Sequence, residues 1–269
     1  MQAERARPWL GTITTIRASG GSEGAVVAAI DQAYAAIAHV HHRMSFQSAD
    51  SDLAAIARLR PGEEAVIDHA TAACLGRALA FAEASGGAFD PVLPENGASW
   101  RDLRLQGVRI AVRRTLRLDL SGIAKGYAVD RACERLAAAD LVAAMVNAGG
   151  DLRTFGPEET VTLTPSGPAA PVAVLLQDGA LASSDVIGSL AEYGVVQHRD
   201  GRSAPSSAAA PSPTPAFVSV AAPCCTDADA LTKIVLAMGD DAAALLRAHD
   251  AVAYVHQPDR GWRTIGCEM

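Results

Sequence analysis

The sequence predicts an α+β fold of mixed sheets with packed helices. Two patterns carry that expectation. Alanine-rich stretches with helical spacing alternate with short β-branched runs, and several runs lie close enough together to be hairpins, which argues against an all-parallel sheet. With 269 residues, 49% of them hydrophobic, the chain can bury a sizeable core as one domain or as two closely packed lobes. No internal repeat is visible.

Taken in order, residues 10–17 (Leu-Gly-Thr-Ile-Thr-Thr-Ile-Arg) alternate and are β-rich, so they read as the first strand. A turn at Gly20 and Gly21 opens an alanine-rich helix over about 25–38. His39, His41 and His42 follow at its end. Spacings of two and one do not put two rings on one helical face, and cations suit a helix C-terminus, so a basic helix end is the plainer reading than a metal site. A second helix over about 70–85 is closed by Gly86-Gly87. In the segment 87–91, Pro91 holds Asp90 extended and lets its carboxylate aim into a cleft. Residues 108–112 and 116–120 read as a hairpin, 124–138 as a helix, 143–147 as a buried strand, and 160–163 and 172–176 as further strands. Residues 203–215, Ser-Ala-Pro-Ser-Ser-Ala-Ala-Ala-Pro-Ser-Pro-Thr-Pro, have no face to bury and read as a mobile loop. Residues 217–222 form a strand. A last helix opens at Thr226-Asp-Ala-Asp229, the form of a capping box with Asp in place of Glu, and ends at Gly239.

Composition narrows the function classes. The 30 Asp and Glu against 23 Lys and Arg give a net charge of −7, the opposite of a nucleic-acid footprint. Five cysteines, an odd number with no C-x-x-C pair, indicate neither a disulfide framework nor zinc. Cys224-Cys225 ahead of a helix read either as reactive thiols or as small residues closing a strand. No run is long enough to span a membrane, and the amino terminus lacks the apolar core of an export signal. The chain as written is expected to be soluble and cytoplasmic, or periplasmic if a longer precursor exists.

The most informative stretch is Asp119-Leu-Ser-Gly-Ile-Ala-Lys-Gly-Tyr-Ala-Val-Asp130 followed by Asn147-Ala-Gly-Gly-Asp-Leu-Arg153. It reads as a strand, a tight turn, a helix with a lysine in its opening turn, and a strand ending in paired glycines. A lysine opposes the helix dipole at that position, so Lys125 makes sense facing an anion, for which phosphate is the natural candidate.

Together with Leu10-Gly-Thr, Met44-Ser-Phe, Ser51-Asp-Leu, Ser85-Gly-Gly-Ala-Phe-Asp-Pro91 and Ala228-Asp-Ala-Leu231 leading to Met238-Gly239, these segments resemble, in order and spacing, the ApbE-type FAD:protein FMN transferase family. The resemblance implies a T-fold-like architecture and an enzyme that binds FAD and a divalent metal, usually magnesium. It implies transfer of FMN to a Thr or Ser hydroxyl of a flavin-acceptor protein with release of AMP. Phosphoryl chemistry of that kind rests on positioning and charge neutralisation. By match to the motifs, Met44, Asp90, Asp119, Lys125, Gly149 and Gly150 would contact the nucleotide. The Gly122 carbonyl and Asp229 would hold the metal, oxygen donors of the kind a hard cation takes. His198, Asp229 and Lys233 would be the candidates for catalytic roles. Judged locally, Gly122, Gly149 and Gly150 read better as turn residues, Asp130 is equally well a solvated or hydrogen-bonded helix residue, and Asp229 equally well a capping carboxylate.

The chain departs from that family at three places. Lys233 stands four residues after Asp229, one helical turn on, where the family has a threonine or aspartate. Either the metal loses one protein oxygen or the lysine replaces it as a tethered single charge. Ala57 stands where an asparagine contacts the nucleotide. The segment His198-Arg-Asp200-Gly201 is a shortened form of the family's histidine motif. Two other readings therefore stay open: a non-catalytic protein that stores or delivers FAD, and an FAD pyrophosphatase in which water replaces the acceptor.

Overall fold

The amino-terminal hairpin forms one edge of the main sheet. Strands β1 (Gln2–Trp9) and β2 (Thr12–Ser19) turn through Leu10 and Gly11, both at positive φ (57° and 74°), the backbone of a tight primed turn. The expected strand over 10–17 thus begins two residues late. Its partner was hidden because Gln-Ala-Glu-Arg-Ala-Arg-Pro-Trp is exposed along most of its length and offers no apolar alternation. The computed structural model describes residues 1–166, 169–186 and 217–267. The expected loop at 203–215 and His198 lie outside the described residues.

Helix α1 (Glu23–Met44) outruns the expected 25–38 and carries His41, His42 and Arg43 in its last turn, where cations suit the dipole. After it come α2 (Asp52–Ala57), β3 (Glu64–Val66) and α3 (His69–Ala84). The next hairpin is not the expected one. Strand β4 (Leu103–Gln106) pairs with β5 (Arg109–Val112) because Gly107 accepts φ 57°, whereas Arg113-Arg114-Thr115 contains no such residue. Residues 116–120 instead lie along the segment after Asp90, through a Val92–Leu118 bridge and Asp119 N–H donating to the Pro91 carbonyl at 2.9 Å.

Helix α4 (Ala124–Ala137) leads into β6 (Ala143–Ala148) and β7 (Asp151–Phe155). Then follow β8 (Glu159–Leu163), β9 (Val172–Leu176), β10 (Ala180–Asp185) and β11 (Phe217–Ala222). The chain closes with α5 (Cys225–Met238), α6 (Ala243–Ala248), β12 (Val252–Gln257) and β13 (Gly261–Ile265). Eight strands form one antiparallel sheet in the order β1-β2-β6-β7-β10-β11-β12-β13.

Strand alternation sorts the two faces of this sheet. On one face, α4 packs on β6 and β7 and α5 on β10 and β11. On the other, Leu152, Leu181 and Phe217 pack with Leu163, Val174 and Leu176 of the β8–β9 hairpin. Asp151, next to Leu152, therefore points toward the helices. No helix among the described residues is long and apolar enough to cross a membrane.

Candidate active site

The site is built where α4 crosses α5. A Cβ on Gly126 would overlap the Cys225 carbonyl oxygen and lie 2.7 Å from the Cys225 carbonyl carbon and 2.9 Å from Asp229 Cβ. Only glycine lets the two helices come this close. The Gly126 N–H donates to Asp229 Oδ2 at 3.1 Å, joining segments 103 residues apart. The start of α5 is held from α4 as well. Its N-cap, Cys224, offers no side-chain bond, and the Asp130 carboxylate accepts from Cys225 N–H (2.9 Å), Thr226 N–H (2.8 Å) and Thr226 Oγ1 (2.5 Å). The expected capping box at Thr226-Asp229 is thus not formed. Asp229 lies inside the helix and takes no part in the cap, while Asp130 is the capping group.

Two buried carboxylates sit beneath two ammonium groups. The side chains of Asp151 and Asp229 are 0% exposed and those of Lys125 and Lys233 are 28% exposed. Lys125 Nζ lies 3.0 Å from Asp151 Oδ2, and Ser183 N–H donates to Asp151 Oδ1 at 3.2 Å. Lys233 Nζ donates to Asp229 Oδ1 (2.9 Å), Ser184 Oγ (2.8 Å) and Thr232 Oγ1 (3.0 Å). The anion expected opposite Lys125 is therefore supplied first by the protein itself. Both lysine side chains remain partly exposed while their carboxylate partners are buried, an arrangement suited to phosphate.

Burial, reinforced by the nearby Asp229 charge, pushes the Asp151 carboxyl up to about 6 despite Lys125 and Lys233. Burial works against the Lys125 ammonium too, but Asp151 and Asp229 more than offset it and hold Lys125 above its ordinary range. The ammonium stays charged; the carboxylate is the group that titrates. Between its ordinary 3.8 and about 6, folded Asp151 keeps a proton that the unfolded chain has released. Raising the pH through that window therefore costs stability, at most about 1.4 kcal/mol per pH unit. We expect the melting temperature of Asp151→Asn, relative to the parent, to rise between pH 4 and 6.5. A constant difference across that range would refute this titration.

The structure brings Gly122, Lys125, Asp229 and Lys233 together. Asp119 lies at the entry to α4, where Oδ1 accepts from Ser121 N–H at 2.8 Å. Asp90 is turned into its own loop, accepting from Val92 N–H (2.8 Å) and Trp100 N–H (3.2 Å), and Met44 is packed in the core with Leu53 and Ile56. Gly149 has a structural cause for its glycine: at φ 63°, a Cβ there would meet Thr12 Oγ1 at 2.7 Å. Gly150 borders the site, its nearest Cβ neighbour being Ser183 Cβ at 4.0 Å. Ala57 lines a small cavity with Phe46, Leu53, Ala54, Arg117 and Leu118.

Of the other candidates, His39 pairs with Asp68 at 3.0 Å and His41 and His42 pack edge-on against Trp9. No cluster of three or more His, Cys, Asp or Glu suited to a metal occurs among the described residues. Burial pushes the Cys224 thiol up to about 11 and Cys225 well above its ordinary value, the reverse of an activated thiol.

Gly126, Asp151 and Ser184 were missed by the sequence reading. A glycine in the first turn of a helix, a poorer helix former than alanine, was the available signal for Gly126. Asp151 stood in the quoted motif without a role.

The residues do not fit a divalent cation in the expected manner. Such an ion of magnesium's size asks for about six oxygens near 2.0–2.1 Å. Here Asp229 Oδ1 is taken by the Lys233 ammonium and Oδ2 by the Gly126 N–H. The neighbouring hydroxyl oxygens surround that nitrogen at 2.8 and 3.0 Å.

The model of the ApbE family matches residues 10–255. The FAD:protein FMN transferase of Treponema pallidum (strain Nichols) is 29% identical over 185 residues, 56% of this chain and 51% of that protein. The chain thus spans about half the length of this curated relative. The crystal structure of the ApbE protein of Thermotoga maritima superposes with a TM-score of 0.80 at 21% identity, covering 98% of this chain and 96% of that one. The apo flavinyl transferase ApbE of Pseudomonas stutzeri gives 0.78 at 19% identity, over 98% and 94%. These two likenesses establish the α+β fold.

Proposed function

Because this chain belongs to the ApbE family, whose model spans residues 10–255, we propose that it transfers FMN from FAD to a Ser or Thr hydroxyl of an acceptor protein and releases AMP. The observation that carries this reading is the pair of partly exposed lysines, Lys125 and Lys233, each held by a buried carboxylate beside the first turn of α4. A pyrophosphate laid on that surface would meet two fixed positive charges and the positive end of a helix dipole.

The acceptor oxygen would attack the phosphorus of the FMN half. The bond from that phosphorus to the bridging oxygen would break, and AMP would leave with the electron pair. The hydroxyl proton passes to a base, for which the sequence offers His198. Charge spreading over the phosphate oxygens in the transition state is what preorganised cations stabilise most. The buried carboxylates keep those cations in place and charged before substrate arrives.

Incubation with FAD and candidate acceptor proteins, reading AMP and protein-bound flavin fluorescence, tests the proposal. AMP together with labelled protein is expected. AMP with free FMN and unlabelled protein would make the chain a pyrophosphatase, and FAD bound but returned intact would make it a flavin store. Lys125→Gln, which keeps a polar side chain but removes the charge, should weaken FAD binding about tenfold or more, the loss of one charged hydrogen bond. Unchanged affinity would remove Lys125 from the phosphate site.

A further inference from the structure

We propose that the Lys233 ammonium takes, as a tethered single charge, the place that a divalent cation would hold beside Asp229, so that the reaction on FAD proceeds without added divalent metal. This rests on the FMN-transfer reading for its activity arm but on geometry for the rest. An ammonium has three N–H donors, and all three find an oxygen: Asp229 Oδ1 at 2.9 Å, Ser184 Oγ at 2.8 Å and Thr232 Oγ1 at 3.0 Å. Those oxygens come from α5 and β10, so the nitrogen is held as an ion is held, by converging hard donors.

A solvated i,i+4 pair on a helix surface would look different. In such a pair both side chains reach into water and contribute little. Here the Asp229 side chain is 0% exposed and its other oxygen is taken by α4 through Gly126 N–H. The carboxylate is a fixed buried charge that needs a counter-charge at this spot. Lys233 supplies it from one helical turn away.

Gly122 completes the arrangement. A Cβ there would lie 3.4 Å from Lys233 Cγ and 3.8 Å from Cε. The lysine stem thus runs directly over the residue whose carbonyl the family resemblance makes a metal donor. The ammonium acts through its charge. With Lys125 it brings two unit positive charges to the cluster, the formal charge of one divalent ion.

The test has two independent arms. Titration of the parent protein with Mn2+, read by electron paramagnetic resonance without FAD present, should show no saturable site. Lys233→Thr, which removes the ammonium and leaves a hydroxyl, should acquire one that the further change Asp229→Asn abolishes. AMP release from FAD by the parent should run at the same rate in EDTA as in magnesium, whereas Lys233→Thr should become magnesium-dependent.

Saturable Mn2+ binding by the parent that Asp229→Asn removes would overturn the proposal, as would loss of parental AMP release in EDTA. Should Lys233→Thr fail to fold, the parental titration and EDTA assay still decide. A parent that neither binds nor turns over FAD defeats the transferase reading alone, because the Mn2+ titration does not use FAD.

Discussion

Gly126→Ala should lower the stability of the protein by about 1–3 kcal/mol and weaken the site with it. Two effects oppose each other. Alanine gains up to about 1 kcal/mol over glycine in a helix interior. Against that gain, its Cβ would overlap the carbonyl oxygen of Cys225 and lie 2.7 Å from the carbonyl carbon. That neighbour is backbone, at the first turn of α5, and cannot rotate out of the way. The helices must separate, and overpacking of this kind costs about 1–3 kcal/mol, occasionally more. Separation also draws Asp229 away from its Gly126 donor, now 3.1 Å distant, and strains the Asp130 cap.

A drop in melting temperature of about 2–12 °C is expected for a chain of this size, measured by calorimetry alongside Gly24→Ala. Gly24 lies in α1 with nothing within 4 Å of its Cβ position, so alanine there should be neutral or mildly stabilising. If both variants behave alike, the close crossing of α4 and α5 does not govern stability.

That crossing also explains which parts of the molecule could be read in advance. Helix α4 and strands β6, β9 and β11 were legible because their apolar spacing is strong and local, and their ends carry glycine or a change of period. Strand β1 was not, since an exposed edge strand needs no apolar face; its Arg and Glu side chains serve as protection against stray pairing. The motif residues Lys125 and Asp229 stood out in the sequence, and the bond from Gly126 N–H to Asp229 sets their two segments side by side. What they face was not legible. The anion opposite Lys125 is Asp151, brought by a hairpin turn and the strand alternation that points it at the helices. The cap of α5 comes from Asp130, 95 residues before Cys225, so a local reading of Thr226-Asp-Ala-Asp229 had no access to it.

Asp130 is accordingly the second residue on which the site depends most. Its carboxylate is buried and accepts from two backbone N–H groups and the Thr226 hydroxyl at the start of α5, and from Arg153 of β7 at 2.9 Å. Asp130→Ala would leave those donors without their acceptor and Arg153 without its partner inside the fold. Removing one member of such a buried charged set costs about 3–5 kcal/mol. Asn at the same place keeps one carbonyl oxygen toward the helix N-terminus but loses the charge that Arg153 and the helix dipole favour. Asp130→Asn should therefore lose less, about 1–3 kcal/mol. Urea denaturation of the three proteins gives the order directly. Because α5 carries both Asp229 and Lys233, loosening its first turn should also weaken FAD binding in Asp130→Ala, although Asp130 reaches neither ammonium group. An alanine variant within about 0.5 kcal/mol of the parent, the range of an ordinary surface change, would mean that α5 is fixed by its packing on β10 and β11 alone and that the carboxylate cap is dispensable.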